Sequence, residues 1–226
     1  MSEYLLLNIA VIIIPLLLTF EKNLKFYKNL PSVLIAILTV GSVYVVWDIA
    51  ATDRGDWGFN PEYLTGFYIF NLPIEEVLFF ITIPYAIIFL FETANYYLQD
   101  REIIYHCRLY TYAAVFFGLS GLAFVGQNYT MTVLFSVSLF FLASRFFNPS
   151  LLKSKLYWQF ILFSFVPFFV VNYILTSLPI VTYGNNAIWG TRLTTIPVED
   201  FFYSFSLLSF NLLVYKTVKE KWFKRK

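Results

Sequence analysis

The chain has a single cysteine, Cys107, which excludes an intrachain disulfide. It has a single histidine, His106, which excludes a His-rich metal cluster. No Gly-x-Gly-x-x-Gly turn follows a strand, so there is no flavin or nicotinamide fold, and there is no Walker loop, H-E-x-x-H or cysteine pair. Charge is scarce as well. Asp, Glu, Lys and Arg make up 13% of the 226 residues, against roughly 25% in soluble domains. That is too little polar surface to cover a globule facing water. The net charge of +2 and the unpatterned basic residues exclude nucleic acid as a partner.

Apolar side chains fill the space that charge leaves. They form 59% of the chain and fall in seven long runs, about residues 4–20, 31–48, 73–91, 108–126, 129–147, 156–175 and 197–215. A bilayer span needs roughly 17 to 25 such residues. A lone span in lipid must satisfy its own backbone hydrogen bonds, which makes each run a helix. The expected fold is therefore an all-α polytopic membrane protein of seven transmembrane helices, kinked at Pro15, Pro84 and Pro167. The first run has no basic leader and no small-residue cleavage pattern after it, so it reads as a mature span. Fourteen of the sixteen basic residues lie in alternate loops and in the tail ending Lys224-Arg225-Lys226; Arg54 and Arg192 lie on the other side. The positive-inside rule then places the chain in the cell membrane with its N-terminus outside and its C-terminus in the cytoplasm.

The chain also repeats itself at an offset of 124 residues. Pro73-Ile74-Glu75-Glu76 falls on Pro197-Val198-Glu199-Asp200, Gly66 on Gly190, Asp48 on Asn172 and Phe59 on Tyr183. The first three runs fall on the last three and the fourth has no partner. This divides the chain into a first half-domain over 1–95, a linker helix within 96–127 and a second half-domain over 128–226. The odd linker gives both triplets one orientation, related by an axis along the membrane normal. Both acid pairs then lie at the same depth and line one central site.

Glu75, Glu76, Glu199 and Asp200 are the leading candidates for chemistry. Acids suit helix N-termini, where the dipole favours negative charge. Two pairs leading straight into Val-Leu-Phe-Phe and Phe-Phe-Tyr go beyond capping, because ionisable groups in a membrane are functional by default. Converging carboxyls that share protons can supply an acid and a base together. Trp47, Trp57 and Trp189 are expected near the same level, where aromatic faces would stabilise a cation. Asp48, Asn71, Asn172 and Asn211 are the other polar residues, with Asp48 and Asn172 placed to hydrogen-bond to the acids. Arg192, with Tyr68 at its repeat position, is a candidate partner for an acid. The last run has no lysine between Pro197 and Tyr215, so a retinal Schiff base there is discarded.

The run from Trp47 to Pro61, W-D-I-A-A-T-D-R-G-D-W-G-F-N-P, then Gly66 and P-I-E-E-V-L-F-F, resembles the first half of the small membrane lycopene cyclases. The stretch from Asn172 through Gly190 to P-V-E-D-F-F-Y-S-F resembles their second half. The chain looks like the fused form of that family. The resemblance implies a lycopene β-cyclase, an isomerase of the intramolecular lyase type in carotenoid biosynthesis. It would act on lycopene or a related linear carotenoid, beside other membrane enzymes of that biosynthesis and without a cofactor or metal. It also implies that Glu75, Glu76, Glu199 and Asp200 carry the proton transfers. Two alternatives stay open: an intramembrane prenyl-diphosphate transferase using Asp48, Asp53 and Asp56 to hold magnesium, and a proton-relay carrier. The absence of an evident polar series across the spans argues against the carrier.

Overall fold

A computed structural model describes residues 2–223. The helices are α1 Glu3–Leu17, α2 Leu30–Arg54, α3 Ile74–Tyr97, α4 Cys107–Ala123, α5 Asn128–Phe147, α6 Pro149–Lys153, α7 Lys155–Ser177 and α8 Val198–Phe223. A 3-10 turn extends α1 to Phe20. Among the described residues, six helical segments are long and apolar enough to cross a membrane: Glu3–Phe20, Phe26–Arg54, Ile74–Tyr97, Asn128–Phe147, Lys155–Ser177 and Val198–Lys221. The fourth apolar run forms α4, whose 17 residues rise about 25 Å. The tail residues Lys224, Arg225 and Lys226 lie outside the described residues.

Helix limits follow local chemistry. Ser2 Oγ accepts from Leu5 N–H at 3.2 Å to cap α1, and Ser154 Oγ accepts from Tyr157 N–H at 2.9 Å to cap α7. Helix α2 runs past the end of its apolar run to Gly55, which takes the left-handed conformation at φ 76° that ends a helix. Pro15, Pro84 and Pro167 sit inside α1, α3 and α7.

Short strands, unforeseen in the sequence, join the halves. Strand β1 (Trp57–Phe59) pairs antiparallel with β4 (Val181–Tyr183), with Gly58 opposite Thr182. Those two residues are repeat equivalents, so a local twofold relation passes between them. Strands β2 (Tyr68–Ile69) and β3 (Leu72–Pro73) form a hairpin leading into α3, and β5 (Arg192–Leu193) and β6 (Ile196–Pro197) form its counterpart before α8. Phe70 and Thr194 take the same turn position at φ 56° and 58°. The link between halves is tight: Gly184 N–H donates to Asp56 O at 2.9 Å, and a Cβ on Gly184 would strike the Gly55 carbonyl.

The largest apolar core lies among the helices and includes Ile88, Phe140, Leu152, Tyr157, Leu212 and Tyr215. Helix α8 also carries a buried polar line, of which the sequence reading named Asn211 and missed the serines. Ser206 Oγ accepts from Tyr44 OH at 2.8 Å, Ser209 shares a 2.8 Å hydrogen bond with Tyr157, and Asn211 bonds to Leu207 O. The two serine bonds tie α8 to α2 and α7, and the Asn211 bond stays within α8. At the end remote from the hairpins, Lys219 Nζ meets Glu92 at 2.5 Å and bonds α8 to α3. Glu92→Ala should destabilise the folded protein by about 3 kcal/mol, the low end for stranding one member of a buried ion pair, because Lys219 keeps some exposure. Thermal unfolding of the purified variant checks this.

Candidate active site

A cavity of about 360 Å³ lies between α1, α3, α7 and α8, below β1 and β4. Most of its wall is apolar, including Val11, Ile83, Ala86, Phe168 and Leu207. Its polar groups are concentrated at the end near the strands, where Asp48, Glu76 and Asp200 all face in and all are buried.

The three carboxyls are held differently. Asp48 Oδ1 accepts from Trp57 Nε1–H at 2.5 Å and from Thr52 Oγ–H at 3.3 Å. Its Oδ2 has no hydrogen-bond partner, and the carboxyl is a near neighbour of Glu76 in the same cavity wall. Glu76 Oε2 accepts from Tyr4 OH at 2.5 Å. Asp200 is surrounded by donors: Tyr129 OH at 2.7 Å, Tyr183 OH at 2.6 Å and Asn172 Nδ2–H at 3.1 Å. Burial, then the adjacent Asp200, pushes the Tyr183 hydroxyl well above its ordinary pKa. It therefore stays a donor across the working pH range.

Aromatic faces close the head of the cavity. Trp57 and Tyr129 meet at 4.8 Å between ring centroids, Tyr129 stacks on Tyr183 at 5.9 Å, and Tyr203 lies 6.2 Å from Tyr129. Such a wall suits a positive charge.

Glu75 and Glu199 do not line the cavity. Neighbouring helical residues point about 100° apart, so only one acid of each pair faces inward. Glu75 Oε1 accepts from Ser2 Oγ–H at 2.8 Å and Thr65 N–H at 2.6 Å. Glu199 Oε1 accepts from Thr130 Oγ–H and Trp189 N–H, both at 2.6 Å. Each thus clasps the loop before its hairpin to the neighbouring helix.

The other expected residues divide. Asp48, Asn172 and Trp57 line the cavity. Trp47 stands behind Trp57, at 6.1 Å between rings. Trp189 is exposed and packs on Phe124. Arg192 does not pair with an acid: it donates to Thr195 O at 2.7 Å and lies 5.5 Å over the Tyr183 ring, and the ion pairs among the described residues are Arg54–Asp56 and Lys219–Glu92. Asn71 and Asn211 bond to the carbonyls of Ile49 and Leu207. The transferase reading needs Asp48, Asp53 and Asp56 together, but Asp53 is exposed and Asp56 pairs with Arg54. No group of three or more His, Cys, Asp or Glu among the described residues is placed to hold a metal.

Sequence reasoning missed Tyr4, Tyr129 and Tyr203. Tyr4 and Tyr129 lie more than 70 residues from the acids they hold. Tyr203, three residues after Asp200, was within reach as the next inward position on the same helix face.

The comparisons agree with this geometry. A family model described as lycopene cyclase matches residues 2–94 and again residues 126–218, one match for each half. No curated protein and no solved structure matches the chain. Two matches covering most of the chain, over helices suited to a bilayer, identify a membrane enzyme acting on a carotenoid: the chain belongs to the lycopene cyclase family.

Proposed function

We propose that this lycopene cyclase needs no cofactor and forms β-ionone end rings by proton transfers between its own carboxyls. The observation that carries the reading is the facing pair Asp48 and Glu76, with Asp200 across the head of an otherwise apolar cavity. Two facing carboxyls are satisfied when a proton lies between them, and that proton is the acid. Asp200, which accepts from three donors, is the group placed to receive a proton.

In this reading, the Asp48–Glu76 proton adds to the terminal double bond of lycopene and leaves a tertiary carbocation. A double bond further along the chain attacks it, and the new carbon–carbon bond closes a six-membered ring. The cation moves onto the ring, beside Trp57, Tyr129 and Tyr203. Loss of a ring proton to Asp200 then forms the ring double bond. One proton is added and one is lost, so the product is an isomer and no electrons are exchanged. Return of the proton from Asp200 to the acid pair completes the cycle. Glu75 and Glu199 act as positioning residues that fix the hairpins and hence the rotation of α3 and α8.

The same proposal includes the membrane arrangement. The seven apolar runs span the bilayer, α4 among them, as two parallel triplets over 1–95 and 128–226 joined by the linker within 96–127. The acids lie toward the outer face and the Lys-rich end toward the cytoplasm. Substrate comes from the lipid, supplied by other membrane enzymes of the same biosynthesis.

Pigment analysis tests the reading. A lycopene-producing bacterial host expressing the chain should accumulate ringed carotenoids. Unchanged lycopene beside folded, inserted protein would refute it.

A further inference from the structure

The twofold repeat offers two equivalent places for a cleft, and among the described residues one is open and the other is filled. The open one is the cavity against α7. Its counterpart would lie against α2, the repeat equivalent of α7. At α7 the walls are held apart: Phe165 packs on Phe201 at 5.8 Å and Phe168 on Phe201 at 4.9 Å. The equivalents of Phe165 and Phe201 on α2 and α3 are Gly41 and Val77. A Cβ on buried Gly41 would be in van der Waals contact with Phe80 O at 3.5 Å, so α2 and α3 pack together there with no large side chain between them.

Side-chain size completes the closure. Ala86 lines the open cavity, while its equivalent on α8 is Phe210; Val171 lines it, while its equivalent on α2 is Trp47. Tyr44, Phe80 and Leu207 form a packed cluster there, with Trp47 and Phe210 against it. The smaller apolar cleft between α4, α5, α7 and α8 has no titratable side chain in its wall.

On the proposed cyclase reading, we infer that the enzyme has one cyclisation cavity served by both acid motifs, and that a two-ended carotenoid must leave between its first and second rings. The cavity follows α3 from Glu76 to Leu90, a rise of about 21 Å. It meets the lipid-facing surface of α1 at Ile14, which lines the cavity and is 62% exposed. The reacting end of the polyene lies among the acids while the other end extends toward lipid. Neither the filled counterpart against α2 nor the apolar cleft between α4, α5, α7 and α8 offers acids to that other end. The molecule must withdraw, reverse and bind again, so the monocyclic product is a free intermediate.

A pulse and chase decides this with the unaltered protein in lipid vesicles. Isotopically labelled lycopene is given first, then unlabelled lycopene in excess. A free monocycle has to compete for the cavity, so its conversion to labelled bicycle should slow about tenfold under a tenfold excess of competitor, by mass action. Label that accumulates as monocycle under the chase supports the inference. Label that reaches the bicycle at an undiminished rate overturns it. A wild type that makes no ring from lycopene overturns the parent reading instead. In addition, Ala86→Phe, which copies the closed cleft, should slow both rings at least tenfold in folded protein, and a variant that still forms either ring at the wild-type rate would also overturn the single cavity.

Discussion

Glu76→Gln should slow ring formation roughly 10²- to 10⁴-fold, the range for loss of a positioned general acid or base, with little change in stability. The amide matches the carboxyl in shape and its oxygen can still accept from Tyr4, which now stands 2.5 Å away. Its NH₂ can donate to the free oxygen of Asp48. The substitution therefore keeps the packing and the hydrogen bonds and removes the mobile proton from the pair. Asp200→Asn should have an effect of similar size for the opposite reason. Tyr129, Tyr183 and Asn172 already fill the site with donors, and an amide there cannot take the ring proton. Initial rates on lycopene in vesicles, beside thermal unfolding of the same samples, check both. A folded Glu76→Gln enzyme at the wild-type rate would remove Glu76 from the proton path.

Glu75→Ala and Glu199→Ala should behave in the reverse manner, losing stability far more than chemistry. Truncating Glu75 strands the Thr65 N–H and the Ser2 hydroxyl, and truncating Glu199 strands the Trp189 N–H and the Thr130 hydroxyl. A stranded buried hydroxyl costs roughly 1–3 kcal/mol, and Ser2 and Thr130 are buried whereas Thr65 and Trp189 are exposed, so each variant should lose about 2 kcal/mol. Folded protein should keep ring formation within about tenfold of wild type, less than the loss expected for a proton-transfer residue. Unfolding curves together with rates per folded molecule make the distinction. A Glu75→Ala protein as stable as wild type yet inert would assign Glu75 to the chemistry.

The contrast within each acid pair marks how far the sequence could be read. The motif at Glu75-Glu76 and its copy at Glu199-Asp200 were visible at one offset, and helical geometry requires neighbours to diverge. Which neighbour faces inward depends on the rotation of α3 and α8. That rotation is set by the hairpins over 68–73 and 192–197, and those hairpins were illegible. Their turns place Phe70 and Thr194 at positive φ, where a sequence reader looks for Gly or Asn. Apolar runs located the spanning helices because lipid imposes a long uncharged stretch. They stopped short of Arg54 at the end of α2 and Tyr97 at the end of α3, since helical hydrogen bonding continues after hydropathy falls. The tyrosines holding the acids carried no signal, as Tyr4 and Tyr129 become partners only through helix packing. The buried serines of α8 looked like ordinary small residues in an apolar run. The closed second cleft was encoded in pairs such as Ala86 and Phe210, but those sizes acquire meaning only once both helices are known to flank a cleft.

The proton chemistry proposed here rests entirely on side chains of the chain, and one preparation tests that directly. The purified protein is placed in vesicles containing lycopene, with a metal chelator present and with no flavin or nicotinamide added, beside Glu76→Gln protein of equal stability. Ringed products from the wild type, and only residual traces from the variant, are the outcome expected of carboxyl-driven cyclisation. A folded wild-type protein that stays inert until a flavin, a nicotinamide or a metal is supplied would show that its carboxyls alone do not drive the reaction.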